Sequence, residues 1–333
     1  MLGFLWIGLF FGLDQMPARI GLSNFGLPIS FVLTAAILAF ITASIQLPID
    51  LIAMRVERRF GQIKNASLIQ ETYVQRVIEG VLGTAFAGLV LGVIVLVLPT
   101  YWYLAAGIVL AGIGVIHVAI PFLPARRAVS VDQAWTASLE AEVRKLKLEM
   151  PKIVWIDHGE RSLAGGWQGV GMWRRLAIAS SLGEVEPRSA ALLIAREIGH
   201  DVHRHQLKSA CISVAWIIAG VLITALLLPD RVMRENPAGL VIWLAAVMST
   251  WSWLGLFCLP SIGRRQIFQA DAFAANAAGD ETRSLEMLAA LSKHNLPDEK
   301  LPPAVAWVFH PIPTMEKRRA AVEALFTNKR KEN

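Results

Sequence analysis

Charge is scarce in this sequence. Only 17% of its 333 residues are Asp, Glu, Lys or Arg, against 55% hydrophobic, which excludes an ordinary soluble domain of this length. Cysteine is scarcer still. Cys211 and Cys258 both lie inside apolar runs, so a disulfide framework is not expected. The apolar opening, MLGFLWIGLFFGL, ends at Asp14 with no small-residue cleavage site of the A-x-A kind. A short span, an interfacial segment and an uncleaved signal are all open to it; with further spans downstream, a membrane segment is the favoured reading. No Gly-Lys-Ser/Thr follows the glycines of 162–173, so hairpin turns are the better reading there than a phosphate loop. The apolar runs carry almost no ionisable residues, which argues against a transporter or channel pathway.

Long apolar runs are what the sequence does have. They cover 27–47, 81–98, 102–123, 209–228 and 238–260, each about 20 residues, the helix length that crosses roughly 30 Å of hydrocarbon. With the short opening run they predict a mainly α-helical polytopic membrane protein with five or six transmembrane helices. Gly88 with Gly92, and Gly107 with Ala111, sit at helix-packing spacing within two of these runs.

The net charge of +6 collects in three segments: Arg55 to Lys64, 125–208 and 261–333. The positive-inside rule puts all three in the cytoplasm. Basic faces beside lipid headgroups account for the charge, so membrane lipid is the expected partner and nucleic acid is not. The chain then divides into a membrane module (1–124), a cytoplasmic domain (125–208), a two-span hairpin (209–260) and a cytoplasmic tail (261–333).

Within the cytoplasmic domain, DQAWTASLEAEVRKLKLEM has helical spacing and KIVWID reads as a strand. SLAGGWQGVGMW reads as hairpin turns and RRLAIASSL, at 174–182, as a second strand. Pro187 marks a helix start. The helix it opens, RSAALLIAREIGHDVHRHQLK, is expected to lead straight into the next span. It carries a near-miss. In H-E-x-x-H two histidines at i and i+4 ligate Zn²⁺ beside a glutamate general base. Glu197 and His200 fit that pattern, but Arg196 stands where the first histidine belongs.

Four segments together resemble one family. ALLIAREIGHDVHRH resembles the active-site helix of the HtpX and type-I CAAX prenyl endopeptidases, which are membrane zinc metalloproteases. GRRQIFQADAFA (263–274) is similar to that family's Ala-Asp segment, and VFHPIPTMEKRR (308–319) to its His-Pro block with a downstream arginine. LPIDLIAMRVERRFGQIKNAS (47–67) resembles the prenyl-endopeptidase signature, with Pro48 ending a span. The resemblance implies a small α+β zincin-like cytoplasmic domain and a set of roles. Glu197 falls on the general base, His200 on the second zinc ligand, and Asp271 on an acid that orients a ligand histidine. His310 falls on the histidine that stabilises the tetrahedral intermediate, with Arg318 or Arg319 on the following arginine. The family's substrate-side Asn-Ala is nearest to Leu163-Ala164, so the asparagine is missing.

The chemistry is where the likeness breaks. Arg196 replaces the first zinc ligand and Ile267 the third. One ligand of three remains, and an arginine, always protonated, cannot be a ligand. His203 and His205 follow within a turn, but their basic surroundings read as a solvated helix end. The substitutions balance as a pair: Ile267 removes a negative charge, and Arg196 supplies a positive one for Glu197. The expected protein is a zinc-free pseudoprotease of a bacterial inner membrane that binds a membrane protein, peptide or lipidated chain. The alternative is an active zinc metalloendopeptidase with a rearranged site. In the family, the strand before the active-site helix pairs with extended substrate, a role the resemblance gives to 174–182. The oligomeric state is open.

Overall fold

The structure, a computed structural model, describes residues 2–59, 66–119, 129–157, 163, 165–169, 172, 174–294 and 312–332. The chain forms two compact units. The first comprises Met1–Gly61, Ala66–Val115 and Cys211–Leu254; the second is made mainly of Ile116–Ala210 and Gly255–Asn333.

The first unit is helical: α1 (Leu2–Phe10), α2 (Met16–Arg19), α3 (Leu27–Arg59), α4 (Ala66–Val97) and α5 (Trp102–Ala119). It also holds most of α8 (His205–Leu227), α9 (Asp230–Glu235) and the first part of α10 (Leu240–Ala278). Among the described residues, four helices are long and apolar enough to cross a membrane: Leu27–Val56, Val77–Val97, His205–Leu227 and Pro237–Ala278. The apolar part of α5, Trp102–Ile113, is shorter, and 120–123 lie outside the described residues. At nine residues, α1 extends only about 14 Å, shorter than the roughly 30 Å of a bilayer's hydrocarbon core. Pro48 lies inside α3 and does not end it; a helix in lipid can carry a proline whose freed carbonyl finds another partner.

Apolar side chains cover the outer faces of these helices. Phe40 is 67% exposed, Ile108 72% and Leu226 84%, as hydrocarbon solvent requires. Inside, Phe31, Val95, Trp102, Val221 and Leu240 form the core. A Cβ on Gly88 would meet Ala35 Cβ at 2.7 Å, and one on Gly92 would meet Pro28 Cα at 2.9 Å, so both glycines let α3 and α4 approach closely. Gly107 makes no such approach, its nearest atom being Ile218 Cγ1 at 3.9 Å.

The second unit packs α6 (Gln133–Lys145), α7 (Pro187–Val202), α11 (Glu281–His294), α12 (Met315–Glu332) and the last part of α10 around a small sheet. Asp132 caps α6 by accepting from the Trp135 backbone N–H at 3.2 Å. Pro187 sits at the start of α7, where its missing N–H is not needed. Leu139, Leu176, Ile178, Leu192, Ile194, Ala274, Met287 and Val322 share one core.

The sheet has three strands, β1 (Ile153–Ile156), β2 (Gly165–Gln168) and β3 (Arg175–Ala179), in the order β1-β3-β2. Here β3 is central, parallel to β1 and antiparallel to β2. The expectation that 174–182 offers a free edge is therefore corrected. Its backbone groups are already engaged on both sides, because the glycine-rich stretch read as turns supplies a third strand. Residues 180–184 form a 3-10 turn. The Val129 N–H bonds to Trp155 O at 3.0 Å, covering part of the β1 edge. Among the described residues no strand pairs with the outer side of β2.

The expected unbroken helix from Arg188 into the span is also corrected. Helix α7 stops at Val202, Arg204 takes a positive φ of 53°, and α8 begins at His205. The break changes which side chains meet.

Candidate functional site

Helix α7 lies against α10 at one point of very close approach. A Cβ on Gly199 would stand 2.9 Å from Phe273 Cβ, so any larger residue there would push the two helices apart. That contact brings Arg196, on α7, beside Asp271, on α10. Arg196 Nη1 donates to Glu197 Oε1 at 2.6 Å, and its Nε to Asp271 Oδ1 at 3.1 Å. Arg318, on α12, grips the same carboxylate with both arms, Nε to Oδ2 and Nη2 to Oδ1, each at 2.7 Å. Asp271 and Arg318 are each 2% exposed, and the Arg196 and Glu197 side chains 16% and 13%. The result is a buried ladder, Glu197–Arg196–Asp271–Arg318, of alternating sign and zero net charge. Such a bidentate pair is the strong form of a charge-assisted bond.

Each residue singled out in the sequence can now be placed. Of the two arginines matched to the family's downstream arginine, Arg318 is the buried one; Arg319 is exposed. Ile267 lies one helical turn before Asp271 on α10, and its side chain has nothing to offer a cation. His310 and Ala164 lie outside the described residues. Sequence reasoning missed His205. It is 3% exposed, not solvated, and its Nδ1 stands 2.9 Å from His200 Nδ1 while its Nε2 meets Gln269 Oε1 at 2.9 Å. Residues five apart do not share a face of one helix; the left-handed turn at Arg204 makes the meeting possible. Arginine at a position of positive φ gives no sequence signal for it.

A cavity of about 480 Å³ adjoins these groups, lined among others by Gly165, Gly166, Trp167, Glu197, His200 and Gln206. The open strand β2 forms one wall. Trp167, on β2, is held from several sides. Its Nε1 donates to Glu197 O at 2.7 Å, Gln206 Nε2 donates to Trp167 O at 3.2 Å, and Arg174 lies 4.6 Å over its ring. Arg174 in turn pairs with Asp201.

Burial sets the protonation of the two motif residues. It pushes the Glu197 carboxyl above its ordinary range; the Arg196 guanidinium pulls the other way and Asp271 pushes with the burial. The His200 imidazole is lowered to about 3, first by burial and then by Arg196. It is a neutral ring at any physiological pH.

Apolar crossing helices and a small sheet packed against a Glu-x-x-His helix define a membrane protein of the zincin class. Residues 165–325, just under half of the chain, match peptidase family M48. No curated protein matches the chain by sequence. The fold is similar to a crystal structure of S. mikatae Ste24p, with a TM-score of 0.73 and 16% identity over 90% of this chain and 76% of that one.

The family implies zinc, and the donor set here does not suit it. The position that the resemblance gives to the first ligand holds a guanidinium bonded to two carboxylates, and the one it gives to the third holds an isoleucine. A divalent cation beside His200 would face the fixed charge of Arg196. Among the described residues, no three His, Cys, Asp or Glu side chains are placed to hold a metal ion.

Two expected outcomes follow from the ladder and the buried imidazole. Arg196→Ala strands Glu197 without its partner and should destabilise the protein by about 3–5 kcal/mol, read from denaturation in detergent; a change under 1 kcal/mol would mean that the pair is not buried. The second concerns acid. Between pH 6.5 and about 3 the unfolded His200 takes a proton that the folded one refuses, so its contribution to stability is full above pH 6.5 and is lost as pH falls. The raised Glu197 works in the opposite direction, gaining stability on acidification. Comparing the protein with His200→Gln isolates the histidine. Stability of the unmodified protein should fall more steeply than that of the variant from pH 6.5 downward, and equal slopes would refute the assignment.

Proposed function

We propose that this chain is a zinc-free pseudoprotease that holds an extended segment of a peptide, a membrane protein or a lipidated chain without cutting it. The observation that carries the reading is the Arg196 guanidinium, bonded to Glu197 and Asp271 where the family places a zinc ligand. An arginine so fixed supplies positive charge and N–H donors but cannot activate water as a metal does. The β2 edge beside the cavity offers backbone groups that an incoming strand can pair with. Substrate pairing thus moves from 174–182 to 165–168.

The competing reading is an active zinc endopeptidase, favoured by the retained Glu197 and by the second imidazole, His205, beside His200. Metal analysis separates the two. Purified protein should carry much less than one zinc per chain, and a chelator should change nothing. Arg196→His with Ile267→Glu should rebuild a His-His-Glu set and take up zinc. Stoichiometric zinc in the unmodified protein, with peptidase activity lost to a chelator, would establish the active enzyme instead.

For location, we propose a bacterial inner membrane with the basic segments facing the cytoplasm. Cysteines introduced at Lys64, Arg161 and Lys293 should react with a membrane-impermeant reagent from the same side. Labelling of any one from the other side would overturn the topology.

A further inference from the structure

The polar groups that line the cavity fall into those already engaged and those left over. Asp201 is paired with Arg174, Glu197 with Arg196, Ser209 with Gln266, and the Gln206 amide with Trp167 O. Arg196 is only partly used. Its Nη1 and Nε each make one hydrogen bond, while its Nη2 donates to nothing among the described residues. Arg204 lines the same cavity, and its guanidinium makes neither an ion pair nor a hydrogen bond among the described residues.

The charges do not cancel. Arg174, Arg196 and Arg204 line the cavity against Glu197 and Asp201. Behind them Asp271 and Arg318 offset each other, so one positive charge is left over. Protonation of a lining histidine would only add to that excess. Arg204 is also an odd occupant of its place. Its φ of 53° lies in the left-handed region, which glycine and asparagine enter more readily. The turn between α7 and α8 does not require an arginine, and what arginine adds is a cation with planar donors.

An uninterrupted chain along β2 would bring only neutral amides to this cavity and leave the excess charge unanswered. A chain that ends there brings one carboxylate. That single charge equals the excess, and its planar oxygens match the forked donors of a guanidinium.

We infer that the cavity receives the free C-terminal carboxylate of its bound chain, Arg196 donating through its unused N–H groups and Arg204 supplying the balancing charge. The inference rests on the reading that the site holds an extended peptide, and it adds where that peptide stops. The fixed guanidinium that makes the site unfit for zinc is what makes it fit for an anion.

Fluorescence anisotropy tests this on the full chain in detergent micelles at neutral pH, with an alanine-rich hexapeptide labelled at its N-terminus. The free acid should bind more tightly than the C-terminal amide by roughly tenfold to a hundredfold, the range of one hydrogen bond to a charged group. Arg204→Asn keeps a residue suited to the left-handed turn and should erase most of that difference while leaving amide binding unchanged. Arg188→Asn, at an exposed position on α7 outside the cavity, should preserve it. A hexapeptide amide ending in Glu carries the same charge on a side chain and should bind less tightly than the free acid. Equal binding of acid and amide would overturn the carboxylate assignment and leave the peptide-holding reading standing. So would a preference that survives Arg204→Asn, or a Glu amide that matches the acid. No binding of any of the three peptides would defeat the peptide-holding reading, and this inference with it.

Discussion

Two carboxylates and two guanidinium groups alternate through the second unit, and the rest of the site is arranged around them. One link lies within α7, between Glu197 and Arg196; the other two join α7 to α10, through Arg196 and Asp271, and α10 to α12, through Asp271 and Arg318. Such a ladder is not a cheap source of stability, because desolvating four charges costs much of what their attraction returns. Its effect is registration. Three helices that pack through interchangeable aliphatic side chains are held at one mutual height by bonds that tolerate only one arrangement. A metal joining helix positions of this kind would do the same. In this chain the joining charge is covalently part of α7 and cannot dissociate.

The exchange has chemical consequences for the residues left behind. Glu197 keeps the position of a general base, but its carboxylate is committed to an arginine and sits in a buried setting that disfavours its charged form. His200 falls on the position that the resemblance gives to a ligand, and its imidazole lies against His205 and feels the charge of Arg196. On the proposed reading, both residues have changed occupation while keeping their places in the sequence. This is why a motif can survive while the chemistry that it once signalled does not have to.

Much of this was legible in the sequence, and the failures have physical causes. Long uncharged runs declare membrane helices because lipid allows few alternatives. Glu197, His200 and Asp271 were identifiable because each falls on a motif position whose chemistry demands a particular residue type; Arg196 stood out as the departure from such a position, and Arg318 was one of two candidates with Arg319. The sheet order was not legible. Gly165 and Gly166 have weak strand propensity and no side chains to pattern, so β2 looked like a turn and β3 like an edge. Nor was the burial of His205, since a run of His, Arg and His reads as solvated until the backbone reverses at Arg204. Pro48 misled in the other direction, as a breaker that α3 carries without ending.

The amide of Gln206 already occupies Trp167 O, an acceptor on the strand at the open edge. Any chain laying itself along β2 at that carbonyl must first displace this side chain, so association is an exchange and not a simple addition. The amide stays tethered a few ångströms away, at an effective concentration far above that of any free competitor. It recaptures the acceptor whenever the visitor loosens. Capture at such an edge is therefore reversible by construction, and the vacant strand, with its internal amide in place, is shielded from the edge-to-edge pairing that leads to aggregation.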